Sequence, residues 1–202
     1  MADIEFIEVD DSIPYQKFLD LYKKASNKDQ KNIDAICISS FNYNTKEISS
    51  RYVNCKYLIQ DKFIFFSNYR SPKSEDFKTF DQVSVIFYWN MIDVQIRMKC
   101  KIKKTTKIFS EEHFKKRSFE KNILAITSQQ SSKISSYDAF LKKYNINLKN
   151  ISKKDLKKPE FWGGYDLTPY VIELWQGHKD RINKRQLFTK EADKWLSAYL
   201  QP

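Results

Sequence analysis

The sequence predicts an α+β fold in which an antiparallel β-barrel carries peripheral helices. Five short runs are rich in β-branched and aromatic residues, and their connections are mostly short and polar, as in antiparallel meanders and barrels. Segments with helical periodicity precede and follow these runs, so the helices are expected at the periphery of the barrel. The predicted strands are 35–41, 51–59, 63–66, 83–89 and 94–102.

Four segments are predicted to be helical. Ser12 can cap a first helix, which has Pro14 in its first turn and ends near residue 27. A short helix over 71–80 has Ser71 as its cap, and its first turn would offer unpaired N–H groups to an anion. A longer helix is predicted over 110–126 with Ser110 as its N-cap, and a last one over about 136–144.

Composition indicates one domain spanning residues 1–202, because no shift in composition marks a boundary. Hydrophobic residues make up 41% of the chain and can fill a core. With only 3 glycines, each is expected to meet a backbone need. The cysteines at 37, 55 and 100 lie in strand-like runs without metal-ligand spacing, so buried free thiols are expected and no metal site is predicted.

The net charge of +11 makes nucleic acid the first generic partner to consider. Lysines occur along the whole chain rather than in one basic helix or arm, so no nucleic-acid partner is expected. No run of 18 apolar residues occurs, and the acidic start lacks the apolar segment of a signal peptide. A cytoplasmic protein without a membrane association is therefore expected.

A possible ligand-binding wall occurs over residues 173–185. Trp175 closes an apolar, strand-like run, and a turn is expected at 176–177. On a return strand that starts near Arg181, the side chains of Arg181, Asn183 and Arg185 would share one face, because side chains alternate along a strand. Two guanidinium groups on one face suit an anionic, planar ligand. A solvated basic edge strand is the alternative.

Seven motifs occur in a fixed order along the chain. They are Ser50-Arg51-x4-Lys56, Phe65-Phe66-Ser67-Asn68-Tyr69-x-Ser71-x-Lys73, Phe87-Tyr88-Trp89, Gln95-Ile96-Arg97, Ser128-x-Gln130-Ser131, Trp162-Gly163-Gly164-Tyr165 and Glu173-x-Trp175-Gln176-x4-Arg181-x3-Arg185. In this order they resemble the pyridoxamine 5'-phosphate oxidase family of flavin mononucleotide (FMN) enzymes, over about residues 49–202. The resemblance implies a split barrel, a homodimer and two flavin sites at the subunit interface.

The resemblance also implies roles in cofactor binding. Arg51 and Lys73, with the helix start at Ser71, would hold the flavin phosphate by charge-assisted hydrogen bonds. The position after Ser71 is usually a second basic contact, but here it is Pro72. The remaining flavin contacts implied are Lys56, which also faces the substrate phosphate, and Phe66, Ser67, Gln95, Gln130, Ser131, Trp175 and Arg185. Trp89 and Trp162 are interpreted as core residues instead.

The substrate side departs from the family pattern. The family holds the substrate phosphate with a Tyr, an Arg and a Ser, and the matching residues here are His113, Arg117 and Lys121. Their spacing of four predicts one shared helix face. The family's Arg-x-His over the substrate ring becomes Arg181 and Asn183, which are the candidate catalytic residues. Asparagine can hydrogen bond but cannot carry a proton.

The implied activity is that of an FMN-dependent oxidase acting on a small phosphorylated pyridine, with dioxygen as the final acceptor. The organic chemistry would belong to the cofactor, and the protein would supply position and charge. Two alternatives remain open. One is a related flavin oxidase of a phenazine-type precursor, and the other is a flavin- or pyridoxal-phosphate-binding protein with little turnover.

Overall fold

The computed structural model describes residues 4–202. Within them the chain forms nine strands and five α-helices. The strands are β1 (Glu5–Ile7), β2 (Ala35–Phe41), β3 (Ile48–Ile59), β4 (Lys62–Asn68), β5 (Gln82–Trp89), β6 (Val94–Lys104), β7 (Trp162–Gln176), β8 (Lys184–Glu191) and β9 (Lys194–Leu200). The helices are α1 (Ile13–Ser26), α2 (Pro72–Thr79), α3 (Lys107–Lys116), α4 (Phe119–Thr127) and α5 (Tyr137–Asn150).

Six strands close into an antiparallel barrel. Each pairs with the next in the order β3, β2, β5, β6, β7 and β4, and β4 pairs again with β3. β1 adds to β3 in parallel, whereas β8 and β9 continue the sheet beyond β7. The predicted α+β barrel is therefore confirmed. Along residues 4–202, no helix is both long and apolar enough to cross a membrane.

Strand alternation fills the barrel, and α1 covers part of its core. Alternate residues of β2 and β5, such as Ile36, Ile38 and Phe87, are fully buried. The ring of Phe18 on α1 lies 5.3 Å from that of Phe87 and 5.6 Å from that of Trp89, between ring centroids. Burying a side chain of this size contributes about 1.5 to 3 kcal/mol. The interpretation of Trp89 as a core residue is confirmed.

The prediction of buried free thiols is confirmed for two of the three cysteines, and the expected backbone role of the glycines is illustrated by Gly163. Cys55 and Cys100 are buried and Cys37 is half-buried, all as free thiols. Burial raises the pKa of Cys55 to about 12, so this thiol is not reactive at neutral pH. Gly163 allows a close backbone approach, because a Cβ there would lie 2.2 Å from the hydroxyl of Tyr69.

The single helix predicted over 110–126 is instead two helices, α3 and α4. Ser110 is not an N-cap but a buried residue inside α3, where its hydroxyl accepts from the backbone N of Gly164. The caps are Thr106 and Ser118, whose side chains accept from backbone N–H groups one turn later. Arg117 lies at the break with an extended backbone. His113, Arg117 and Lys121 therefore do not share one helix face, and that prediction is wrong.

The predicted start of the return strand near Arg181 is also wrong, because β8 begins at Lys184. The preceding turn is held by local hydrogen bonds. Asn183 Oδ1 accepts from the backbone N of His178 at 3.1 Å, and the backbone N of Arg181 donates to the His178 carbonyl at 2.9 Å. Arg181 has a left-handed backbone, with φ at 62°. Strand alternation consequently does not align Arg181 and Asn183 with Arg185.

Candidate active site

Lys73 lies in the first turn of α2 and is 8% exposed. Its Nζ donates to Ser67 Oγ at 3.0 Å, Ser71 Oγ at 3.0 Å and Gln130 Oε1 at 3.1 Å. These acceptors are neutral, and Lys73 is absent from the ion pairs of residues 4–202. Burial, and to a smaller extent Arg51, lowers the pKa of Lys73 to about 8. A bound anion would stabilise this buried charge.

Arg51 on β3 lies close enough to Lys73 to affect its pKa, but Arg51 has an acidic partner. Its Nη1 donates to Ser40 Oγ at 2.6 Å, and its Nη2 lies 3.5 Å from Asp76 Oδ2. Asp76 also accepts from Ser40 Oγ at 2.6 Å. Burial lowers the pKa of Arg51, and Asp76 opposes that shift. The charge of Arg51 is thus partly balanced before any ligand binds, whereas that of Lys73 is not.

The loop after α4 contacts Ser67 and Lys73 through Gln130. Gln130 Oε1 accepts from Ser67 Oγ at 3.2 Å, in addition to Lys73. Ser131 follows with an exposed side chain and a left-handed backbone, φ 68°. Ser71 occupies the N-cap position of α2, and Pro72 suits the first helical position because it needs no N–H acceptor. The fold of a single chain therefore brings Arg51, Ser67, Ser71, Lys73 and Gln130 into one cluster.

A second cluster forms where β6, β7 and β8 run side by side. Trp175 on β7 pairs with Gln95 on β6 and with Arg185 on β8. Gln95 Oε1 accepts from Nε and Nη2 of Arg97, at 3.0 and 2.9 Å. Three of the residues implied as ring contacts, Gln95, Trp175 and Arg185, therefore lie on adjacent strands.

Glu173 connects the two arginines of this second cluster. Its Oε1 accepts from Arg185 Nε at 2.8 Å and from Arg97 Nη1 at 3.4 Å. The side chain of Glu173 is 13% exposed, and its hydrogen bond raises the pKa of Arg185. Because one carboxylate oxygen holds both guanidinium groups, Glu173 restrains the orientation of Arg185 beside Trp175.

His113 belongs to an aromatic stack beside the first cluster. Its ring lies parallel to that of Phe66, with centroids 3.7 Å apart, and its Nδ1 shares a 2.8 Å hydrogen bond with the hydroxyl of Tyr57. Burial is the main cause that lowers the pKa of His113 to about 3, with Arg117 and Lys56 adding to it. The imidazole is therefore neutral at physiological pH, so it contributes no positive charge towards a phosphate.

Arg117 lies against the same stack. Its guanidinium carbon is 4.5 Å from the centroid of Trp162, and the Trp162 ring stacks on Phe66 at 5.3 Å. Nη2 donates to the carbonyl of Lys121 at 3.1 Å, whereas Nη1 is buried and has no hydrogen-bond partner within residues 4–202. Burial lowers the pKa of Arg117 to about 10, so the group remains charged at neutral pH. A buried, unpaired N–H of a charged group favours an anionic ligand.

Two further lysines were predicted to face the substrate. Lys56 Nζ lies 2.5 Å from Asp34 Oδ2, and the Asp34 side chain is only 7% exposed. The Lys121 side chain is exposed. Sequence reasoning missed Asp34 and Tyr57, because they lie 22 and 56 residues along the chain from Lys56 and His113. Glu173 was part of a motif but was given no role, because only the pairing of β7 with β6 and β8 places it beside Arg97 and Arg185.

The two clusters lie at opposite ends of β7. Ser67 pairs with Gly163 at the start of this strand, and Gln95 pairs with Trp175 near its end. At about 3.3 Å per residue, the strand between them follows a path of roughly 40 Å. The two clusters of one chain are therefore well separated along β7.

Comparisons with known proteins show what this chain is similar to. A family model described as the pyridoxine 5'-phosphate oxidase C-terminal dimerisation region matches residues 162–202. The chain is 20% identical to PhzG from Burkholderia lata 383, solved in complex with tetrahydrophenazine-1-carboxylic acid. The TM-score is 0.87, and the match covers 96% of this chain and 100% of that one. It is 12% identical to an FMN-binding protein from Nostoc punctiforme, with a TM-score of 0.76 and coverage of 95% and 99%. At these identities, both structures show the fold alone.

Two curated relatives are closer in sequence, and both are named pyridoxine/pyridoxamine 5'-phosphate oxidase. The one from Colwellia psychrerythraea is 32% identical over 169 residues, which cover 84% of this chain and 77% of the relative. The one from Leptospira biflexa is 34% identical over 181 residues, which cover 90% of this chain and 85% of the relative. Because both relatives share more than 30% of their residues with this chain over more than two thirds of each sequence, the chain belongs to the pyridoxine/pyridoxamine 5'-phosphate oxidase family.

Proposed function

We propose that the protein is an FMN-dependent oxidase of a small phosphorylated pyridine amine or alcohol. The supporting observation is a pair of cations, the buried Lys73 and the half-buried Arg117, which have no anionic partner within residues 4–202 and lie beside consecutive residues of β4. Lys73 donates a hydrogen bond to Ser67. Arg117 lies over the ring of Trp162, and that ring stacks on Phe66. Two such cations fit two phosphate groups, one from the cofactor and one from the substrate.

The residues present fit FMN. Lys73, Arg51 and the start of α2 would hold its phosphate, with Ser67 and Gln130 beside the ribityl chain and ring. In a homodimer, the second cluster of the other subunit, formed by Gln95, Trp175 and Arg185, would contact the ring edge. When bound, the flavin would accept a hydride at N5 from the exocyclic carbon of the substrate and pass the electrons to dioxygen.

The remaining residues would position the substrate. Arg117, Lys121 and Lys56 supply positive charge for its phosphate, and the neutral His113 supplies an aromatic wall rather than a charge. Arg181 and Asn183 lie in the turn before β8, so they would approach the substrate ring from that turn. Fixing the ring against a cofactor in this way lowers the entropic part of the barrier.

The active unit is proposed to be a homodimer, in which the second cluster of one subunit completes the first cluster of its partner. We expect light scattering to give twice the 24.2 kDa mass of one chain. An interface that builds two shared sites usually buries more than about 2,000 Å². A stable monomer that retains bound flavin would contradict this assembly.

A substitution at Glu173 tests the second cluster. We expect Glu173→Gln to weaken FMN binding by roughly three- to tenfold, because an amide oxygen holds the two arginines less strongly than a carboxylate. Flavin fluorescence titration measures the change. Asp180→Asn, at an exposed carboxylate in the turn before β8, is the matched control and should leave the affinity unchanged. An equal loss in both variants would count against a specific role for Glu173.

The absorption spectrum of the purified protein tests the function as a whole. We expect two flavin bands that bleach when pyridoxamine 5'-phosphate is added without oxygen and return when air is admitted. A colourless protein that cannot be reconstituted with FMN would rule out the oxidase. Bands that do not bleach with pyridoxamine or pyridoxine phosphate would show a flavoprotein that does not oxidise these two compounds, and the proposed substrate would then be wrong.

A further inference from the structure

The positive charge of the chain is concentrated in one segment. Residues 101–160 contain 16 of the 36 basic residues and 6 of the 25 acidic residues, a net charge of +10 out of +11. A general preference for lysine would raise the net charge of every segment of the chain. It therefore does not explain why residues 101–160 carry almost all of the net positive charge. The expectation of no nucleic-acid partner assumed evenly distributed lysines, and the segment 101–160 contradicts that assumption.

The segment folds around a groove. Three cavities of about 270, 340 and 400 Å³ lie between α3 and the chain at 153–160. Neighbouring cavities share lining residues: Lys107 belongs to the first and second, and Lys115 to the second and third. They therefore form one continuous groove along α3, whose 10 residues span about 15 Å.

Five exposed lysines line this basic groove: Lys104, Lys107, Lys115, Lys153 and Lys157. None of the five takes part in an ion pair among residues 4–202. Two glutamates, at 111 and 160, also line the groove. Because the five lysines outnumber them, the wall of the groove remains positively charged. A row of unpaired cations along a concave surface attracts a polyanion.

Aromatic rings lie at the two ends of the basic groove. Lys104 Nζ lies 4.3 Å from the centroid of Tyr69, and Lys153 Nζ lies 5.9 Å from that of Phe119. Cations beside partly exposed rings are the combination that binds single strands, since phosphates pair with the lysines and bases stack on the rings. A lipid surface would require a flat or convex face, and an acidic peptide would make no use of the rings.

We propose that the basic groove binds single-stranded nucleic acid. The site needs neither a flavin nor turnover. Arg117 also lines the third cavity, but the five lysines are separate from the residues assigned to the cofactor and substrate. About three phosphates fit along α3, so log K should fall with log salt with a slope of about −2.

The test uses fluorescence anisotropy of a labelled oligothymidylate of about 12 nucleotides with the full-length protein. We expect binding at about 50 mM salt that is largely lost at about 200 mM. Combining Lys107→Gln, Lys115→Gln and Lys157→Gln should weaken binding by roughly tenfold or more. The matched control combines Lys23→Gln, Lys24→Gln and Lys28→Gln, which removes the same charge from exposed positions near the end of α1.

Three results would overturn the proposal. They are no binding at low salt, an equal loss in the control triple variant, and equally tight binding of polyglutamate or anionic lipid vesicles. Circular dichroism and the flavin spectrum of both triple variants establish that they are folded. Oligonucleotide binding is measured without substrate, so a failure to bind the oligonucleotide would not contradict the proposed oxidase activity. A protein without oxidase activity would likewise not contradict oligonucleotide binding.

Discussion

Replacing Lys73 by glutamine is expected to weaken FMN binding by roughly tenfold to more than a hundredfold. The substitution removes a charge-assisted contact to the flavin phosphate worth about 1.5 to 3 kcal/mol. Arg51→Gln should cost less than Lys73→Gln, because Asp76 already balances part of the Arg51 charge. Fluorescence titration of the apoprotein with FMN measures both affinities. Lys78→Gln is the matched control, since Lys78 lies on the same helix but is exposed and pairs with Glu75.

The pH dependence of binding gives a second readout for Lys73. The pKa of Lys73 is about 8 without a ligand, and a bound phosphate dianion favours its charged form. Above pH 8 the free protein must take up a proton at Lys73 in order to bind, so FMN affinity should fall as pH rises through 8. Lys73→Gln should lose this dependence. A wild-type affinity that is flat between pH 7 and 9, or a glutamine variant with the same slope, would contradict the assignment.

Replacing Arg117 by alanine is expected to raise KM for pyridoxamine 5'-phosphate by roughly tenfold to more than a hundredfold while FMN affinity stays unchanged. The substitution removes the buried Nη1 donor, which has no hydrogen-bond acceptor within residues 4–202, and the positive charge beside Trp162. Both would otherwise bind the substrate phosphate. Arg117→Lys should recover only part of the loss, because an ammonium group neither stacks as a plane on Trp162 nor reproduces the fork of donors. Steady-state kinetics at saturating FMN measure the effect.

Lys116→Ala is the control for Arg117, because it removes a neighbouring exposed charge without touching the aromatic stack. An equal rise of KM in this variant would mean that general positive charge, not the position of Arg117, binds the substrate phosphate. A loss of flavin in Arg117→Ala comparable to that in Lys73→Gln would show that the two cations serve one site. The proposed division into a cofactor phosphate and a substrate phosphate would then be wrong.

Predicted strands matched the structure where alternation between apolar and polar residues was unambiguous. The predicted strand at 35–41 has the bounds of β2, and the other four predicted strands were found as β3, β4, β5 and β6, each extended at one or both ends by one to three residues. Helix ends were less predictable, because Thr106, Ser110 and Ser118 are all suitable caps in sequence. Only the packing of Ser110 against Gly164 excludes it from the capping role.

The sequence by itself determined the barrel and its peripheral helices, because the alternation of apolar and polar residues is a local property of the chain, and its ordered motifs predicted a set of candidate cofactor residues. Tertiary structure decided which of those residues act together. Glu173 reaches Arg97 and Arg185 only through the pairing of β6, β7 and β8, and Lys73 meets Gln130 only because the loop after α4 folds back. The neutral state of His113 and the unpaired charges of Lys73 and Arg117 are likewise products of burial, which depends on contacts between distant segments.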